Sequence, residues 1–317
     1  MILVLSHPED LHVTPVVEEL RRRDVETRVF DLSGYPAAST LTVDGTPSGP
    51  RTTLTWAGSD LDLGSVNAVW YRRPGRFSLP ADLDPAEDDW LRAECGHLFR
   101  GLWATLDATW VSEPDAVRRA GLKLVQLDLA TTLGLVVPRY TVTNSPEHAS
   151  SFLESCPGGA IVKVLSSPLV KYTERAATMY THLVTDQDRD VLDSVRFGPT
   201  FLQEFVPKTM DVRVTVIGER AFAVGIEPVT EDALIDFRRA EIYDLPHVPL
   251  TLPPGLEDRC VELVQRLGLR FGAIDLLRTP DGQYVFLEIN PNGQWHWLEW
   301  LTGVPLTSAL CDLLTGA

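Results

Sequence analysis

The stretch that decides how this chain is read runs Phe271-Gly272-Ala273-Ile274-Asp275-Leu276-Leu277-Arg278, then Thr279-Pro280-Asp281-Gly282-Gln283, then Tyr284-Val285-Phe286-Leu287-Glu288-Ile289-Asn290-Pro291-Asn292. Two strand-like apolar runs flank an Asp-Gly pair, the strongest short hairpin signal a sequence carries. With Asp281-Gly282 as a two-residue loop, Pro280 faces Gln283, and counting back along both arms sets Asp275 opposite Glu288. Side-chain alternation then puts Asn290 on the face of Glu288 and turns Val285, Leu287 and Ile289 to the other, apolar face. Acids so placed have Cβ atoms about 5 Å apart and repel by roughly 3 kcal/mol at an effective dielectric near 20. Such a pair needs a cation between its members, and hard oxygen ligands suit magnesium shared with substrate phosphates. The alternative is a solvated hairpin whose charges never meet, because a one-residue slip would send the two acids to opposite faces.

Residues upstream supply positive charge. Lys163 lies inside the apolar run Ala160-Ile161-Val162-Lys163-Val164-Leu165, where a buried strand face asks for an anionic partner; the competing reading is an edge strand with a protective lysine. Lys123 sits in a helical pattern and is weaker evidence by itself. In Asp211-Val212-Arg213-Val214-Thr215-Val216-Ile217, the three valines share one face and Arg213 takes the other, pointing away from the core. Gln203-Glu204-Phe205-Val206-Pro207-Lys208 ends a strand in an extended connector whose exposed backbone suits the edge of an adenine ring, although alone it is a linker.

Around these residues the chain reads as α/β, with 317 residues, a length that suggests two or three domains. Ile2–Leu5, Glu26–Asp31 and Ala68–Tyr71 read as strands, Val13–Arg23 as a helix with Pro15 in its first turn, Thr40–Trp56 as a hairpin turning at Gly45-Thr46-Pro47, and Pro85–Thr105 as helical. Trp110-Val111-Ser112-Glu113-Pro114 marks a boundary near residue 112, and a helical pattern follows over Asp115–Leu133. Ser166–Thr181 is too irregular for core and reads as a mobile loop. The expected division is 1–112, 113–207 and 208–317.

The net charge of −16 argues against nucleic acid as a main partner, and no apolar run is long enough for a membrane span. The start of the chain has no basic flank of the signal-peptide type. Four scattered cysteines without a Cys-x-x-Cys pair give no zinc or thioredoxin signal and are expected as reduced thiols in the cytoplasm.

Taken in order, Lys123, Ala160-Ile161-Val162-Lys163, Gln203-Glu204-Phe205-Val206, Asp211-Val212-Arg213, Asp275 and Glu288-Ile289-Asn290-Pro291 resemble the ATP-grasp ligase superfamily over about residues 113–317. That resemblance implies an α/β (α+β) ATP-grasp fold: an N-terminal pre-ATP-grasp parallel-sheet domain, then central and C-terminal domains with ATP between them. It implies Lys123 and Lys163 on the phosphates, Gln203, Glu204, Phe205 and Val206 on adenine, and Asp211 on ribose. It further implies Asp275, Glu288 and Asn290 on two Mg2+ ions, with Arg213 and Lys163 at the transferred phosphoryl group. Trp70-Tyr71-Arg72-Arg73-Pro74, the Thr-rich hairpin, Asp236-Phe237-Arg238 and Asn290-Pro291-Asn292-Gly293-Gln294-Trp295 resemble, more narrowly, the microviridin-type (graspetide) ribosomal peptide maturases.

This narrower resemblance implies a precursor peptide with a leader and an acidic, Thr-rich core, whose carboxylates are joined to Ser/Thr hydroxyls or Lys amines, and a homodimeric assembly. Arg72, Arg73, Asp236, Arg238, Gln294 and Trp295 are the substrate-side candidates, with Ser166–Thr181 as a lid. Two plainer readings stand beside it: the arginines pair with internal carboxylates, and the tryptophans Trp295, Trp297 and Trp300 are core. The competing function is an ATP-grasp ligase acting on a small amino acid or metabolite.

Overall fold

The uninterrupted apolar run Ile2-Leu3-Val4-Leu5 is buried at every position, as a strand covered on both faces must be. In the computed structural model, which describes residues 1–317 apart from residues 8, 167, 168 and 172–175, this strand sits inside a four-stranded parallel sheet. The order is Thr27–Phe30, Ile2–Ser6, Ala68–Arg73, Thr109–Val111. The helix Val13–Arg22 buries Val13, Val16 and Leu20 on one stripe and connects the first two strands. The Thr-rich hairpin forms as Ser39–Thr46 and Gly49–Trp56, extended by Ser59–Asp62. Its last pair is Thr46 with Gly49, so the loop is Pro47-Ser48 and not the expected Gly45-Thr46-Pro47. Pro85–Thr105 is a single helix; Asp84 caps it, Glu87 completes the capping box and Pro85 stands in the first turn.

Two antiparallel sheets make up most of the remainder. One orders His182–Leu183, Ala160–Lys163, Thr200–Glu204 and Tyr140–Thr143; the other orders His247–Leu250, Arg220–Ile226, Met210–Ile217, Phe271–Arg278 and Tyr284–Asn290. The helical pattern over Asp115–Leu133 resolves into Pro114–Ala120 and Lys123–Thr132, parted at Gly121-Leu122. Leu127 and Ala130 pack with Val212, Val214 and Val216 of the five-stranded sheet, as do Leu256, Cys260, Leu263 and Val264 from the helix Leu256–Arg266. A second core joins the parallel sheet to the C-terminal segment: Ile2, Val4 and Val16 share it with Phe271, Trp295, Leu306 and Leu310. Ser112 adds a polar tie there, its Oγ accepting from the backbone N–H groups of Arg270 (3.0 Å) and Phe271 (3.3 Å). Of Ser166–Thr181, residues 167, 168 and 172–175 lie outside the described residues, while Leu169–Lys171 and Ala176–Thr178 pair as short antiparallel strands.

The hairpin Phe271–Asn290 reaches the expected facing of Asp275 and Glu288 by an unexpected route. Arg278 pairs with Tyr284, so the turn spans Thr279 to Gln283 and Pro280 does not face Gln283. Gln283 N–H donates to the Thr279 hydroxyl at 2.9 Å, and Gly282 takes a positive φ of 86°. This longer turn shifts the register by one residue as far as the Leu276–Phe286 pair. A β-bulge then leaves Leu287 unpaired and restores Asp275 opposite Glu288, Ile274 opposite Ile289 and Ala273 opposite Asn290. The bulge also breaks the alternation: Phe286 and Ile289 face the core, whereas Leu287, expected with Ile289, lines the cleft beside Glu288.

The outer face of this hairpin packs closely enough to be tested. A Cβ at Gly272 would stand 2.7 Å from Ile289 Cδ1 and 3.0 Å from Val264 Cγ2, both within the core. Gly272→Ala is expected to destabilise the protein by about 1–3 kcal/mol through overpacking, read as a lowered midpoint in denaturant; an unchanged midpoint would refute the packing argument.

Candidate active site

A cleft between the two antiparallel sheets collects most of the charged residues singled out above. Lys163 ends a strand that lies inside its sheet, between His182–Leu183 and Thr200–Glu204, so it is not an edge lysine. Its Nζ approaches the Gln203 Oε1 at 3.5 Å, and among the described residues no carboxylate lies within ion-pairing distance. Burial pulls the Lys163 ammonium below the ordinary lysine range, while the Glu288 charge opposes that shift. Lys123 is not on an open helix surface: it opens the helix Lys123–Thr132 and its Nζ donates to Glu288 Oε2. For Glu288, burial favours the neutral acid, yet the charges of Lys123 and Lys163 and the Lys123 hydrogen bond outweigh it and hold the carboxyl well below its usual range.

Strand register brings Arg213 directly opposite Asp275. Arg213 donates from NH1 to Asp275 Oδ1 at 2.6 Å and from NH2 to the Gln294 carbonyl at 3.2 Å. Asn290 Nδ2 donates to Asp275 Oδ2 at 3.2 Å. At the other end, Ile161, Leu277 and Leu287 form an apolar lining beside the connector Gln203–Val206. The Phe205 N–H is taken by the Gly159 carbonyl and that of Glu204 by Arg139, whereas among the described residues the Val206 N–H has no acceptor. Gln203 is fully buried, and among the described residues its Nε2 also has no partner. Asp211 pairs with Lys208 at 2.6 Å, and burial nevertheless pushes its carboxyl up to about 6.

Asp236 and Arg238 enter the same cleft. Arg238 donates to both Asp236 oxygens, at 2.8 and 2.7 Å, and that bond raises its guanidinium pKa further. Arg238 thereby faces Lys123, Lys163 and Glu288, so the pair belongs to the lysine-bearing end of the cleft and not to a separate pocket.

Residues 1–118 match the family model described as the MvdD pre-ATP grasp domain. Across 100% of this chain and 99% of its own, macrocyclase MdnC from Microcystis aeruginosa MRC, solved with precursor peptide MdnA, superposes with a TM-score of 0.88 at 28% identity. A RiPP-associated ATP-grasp ligase of Chryseobacterium gregarium, solved with ADP and a leader and core peptide, gives 0.92 at 27% identity over 99% of this chain and 96% of that one. This chain has the ATP-grasp fold. The ribosomal protein bS6–L-glutamate ligase of Salmonella paratyphi B is 25% identical over 206 residues, 63% of this chain and 65% of the relative, so the match spans just under two thirds of that protein.

Within this ATP-grasp frame the donor set fits a hard divalent cation: two carboxylates and an amide on one face, each already engaged by a dipole or cation that a metal can replace. Two substrate-side candidates do not face any acceptor. Arg72 has a side chain only 1% exposed and pairs with Asp10 at 3.1 Å, which is the internal pairing weighed as the alternative. Trp295 is fully buried in the core shared with the parallel sheet. Arg73 and Gln294 remain at the surface and line a second pocket with Tyr243, Trp297 and Trp300.

Several contributors escaped the sequence reading. Lys208 looked like the tail of a linker, Leu287 like core, and Tyr243 carried no signal at all; Trp297 and Trp300 were visible as an aromatic run, but periodicity could not say which ring was buried. Glu288→Gln is expected to weaken Mn2+ binding at least about 10-fold, measured by electron paramagnetic resonance in the presence of ADP. Unaltered Mn2+ affinity would remove Glu288 from the donor set.

Proposed function

We propose that this protein is an ATP-dependent macrocyclase that activates Asp or Glu side chains of a ribosomal precursor peptide and joins them to Ser/Thr hydroxyls or Lys amines. The observation that carries this reading is the cleft itself, where among the described residues Lys163 at one end has no counter-ion and the Val206 N–H at the other has no acceptor, with the facing acids Asp275 and Glu288 between. Full-length similarity to two peptide-bound ligases favours a peptide over a small-molecule acceptor. The curated glutamate ligase covers less of the chain at lower identity, and D-cycloserine synthetase, at 17% identity, shares the fold alone.

In this reading the connector Gln203–Val206 holds adenine with its backbone, Asp211 accepts from the ribose hydroxyls, and Lys123 and Lys163 hold phosphate oxygens. Asp275, Glu288 and Asn290 would hold two Mg2+ ions, which would supply positive charge to offset that of the nucleotide phosphates. Arg213 and Lys163 offset the charge of the γ-phosphoryl group as it passes to a peptide carboxylate and ADP departs. Attack by a hydroxyl or amine on the resulting acyl phosphate forms the ester or amide, the nucleophile gives up its proton, and inorganic phosphate leaves. Positioning and fixed charge carry the rate, so water must be kept from the acyl phosphate. Asp236 keeps Arg238 aimed at the phosphate end. Arg73, Gln294, Trp297, Trp300 and Tyr243 form the acceptor side, where Arg73 attracts an acidic core against the overall charge of −16.

The Ser166–Thr181 segment as lid, the division at residues 112 and 207, a homodimer and a cytoplasmic location complete the proposal. No helix among the described residues is long and apolar enough to cross a membrane.

Incubating the protein with Mg-ATP and a candidate precursor rich in Thr and Glu or Asp should remove the mass of one water per ring, seen by mass spectrometry. An unchanged peptide beside turnover of a free amino acid would favour the metabolite ligase. Nucleotide binding supplies a second check. Because the Asp211 carboxyl is raised to about 6, it protonates as pH falls through that value and stops accepting from ribose. ADP affinity is therefore expected to drop below pH 6 in the native protein, and Asp211→Asn should abolish this pH dependence; a dependence retained in the variant rules out Asp211 as its source.

A further inference from the structure

We propose that Asp10, His12 and Arg72 are positioning residues that hold the Asn292–Trp295 backbone, and through it Arg213 and Asn290, in register with the nucleotide cleft. None of the three touches that cleft, and each is nearly buried, with side chains 8%, 8% and 1% exposed. Asp10 is the hub. Its Oδ1 accepts from the His12 backbone N–H at 2.9 Å and from His12 Nδ1 at 2.7 Å, while Oδ2 accepts from Arg72 Nε at 3.1 Å.

These contacts determine the histidine tautomer. A proton on Nδ1 is needed for the bond to Asp10, which leaves Nε2 as an acceptor, and Nε2 receives the Trp295 N–H at 3.1 Å. Burial also disfavours the imidazolium, and the nearby Arg72 charge reinforces this against the pull of Asp10. Arg72 NH1 meanwhile donates to the carbonyls of Asn292 and, at 3.1 Å, Gly293. Residues 292, 293 and 295 are thus gripped from the N-terminal segment, and the intervening Gln294 carbonyl is held from the opposite side by Arg213.

The loop has little room to accommodate a change. A Cβ at Gly293 would collide with Ala273 Cβ and come within 2.7 Å of Arg213 NH2, and the Gly293 N–H closes back onto the Asn290 carbonyl at 3.1 Å. A shift of this backbone therefore moves Arg213, whose other amine holds Asp275, and Asn290 together. Groups that orient ligands and charge-stabilising side chains typically carry 10-fold to 100-fold effects without contacting substrate.

The inference rests on the ATP-grasp reading of the cleft, and the test separates the two. In the full chain, His12→Ala removes the acceptor for Trp295, His12→Gln keeps an acceptor near the Nε2 position, and Arg72→Lys keeps the charge but loses the two-carbonyl fork. AMPPNP affinity in chelator, Mn2+ affinity with saturating AMPPNP and amide exchange at Trp295 are measured beside the thermal midpoint. His12→Ala and Arg72→Lys are expected to speed exchange at Trp295 and weaken Mn2+ about 10-fold, with AMPPNP affinity in chelator within about 2-fold because the adenine connector lies elsewhere. His12→Gln should recover Mn2+ affinity to within about 3-fold of the native value.

Native Mn2+ affinity in His12→Ala despite faster exchange at Trp295 would overturn the positioning role. So would a loss in which Mn2+ and AMPPNP affinities fall together with the thermal midpoint. Failure of the unaltered chain to bind AMPPNP overturns the nucleotide reading itself, and this inference with it.

Discussion

Two carboxylates facing each other across adjacent strands, inside a cleft largely shielded from water, are the constraint to which the surrounding structure responds. Asp275 and Glu288 repel, and burial makes each charge more costly. The fold answers with cations from four directions: Lys123 from a helix start, Lys163 from the smaller antiparallel sheet, Arg213 from the strand beside Asp275, and Arg238 held by Asp236. Glu288 therefore stays ionised although burial opposes it. An arrangement in which positive groups outnumber the acids they face is suited to additional anionic ligand, and triphosphate chemistry supplies one together with its metal.

That charge cluster is not mechanically independent of the N-terminal sheet. The core uniting Ile2, Val4 and Val16 with Trp295 and Leu310 makes the parallel sheet and the C-terminal segment one packed unit. Across that unit the buried Asp10–His12–Arg72 group meets the Asn292–Trp295 backbone, which meets Arg213, which meets Asp275. Each link is a hydrogen bond between groups with little freedom to relax. The aromatic pocket with Arg73, Tyr243 and Trp300 opens beside this same loop, so the acceptor side and the phosphoryl side of the proposed reaction share one short piece of backbone.

Sequence alone determined the sheet pattern and the chemistry available. The apolar run Ile2–Leu5 announced a buried parallel strand, the hairpin announced itself through Asp281-Gly282, and a lysine inside Ala160–Leu165 announced an unmet need for an anion, because strand periodicity and the cost of burying charge are local facts. Only the tertiary structure decided which groups meet. The pairing of Asp275 with Glu288 depends on a bulge at Leu287 that offsets a turn one step longer than Asp-Gly suggests, and a bulge answers to packing on both faces of the sheet, which no local pattern records. The same holds for burial. Arg72 and Arg73 are neighbours of like chemistry and both reach the Asn292 carbonyl, yet one is buried and the other exposed; Trp295 is core and Trp300 is surface. Those fates are set by contacts between residues more than two hundred positions apart in the chain.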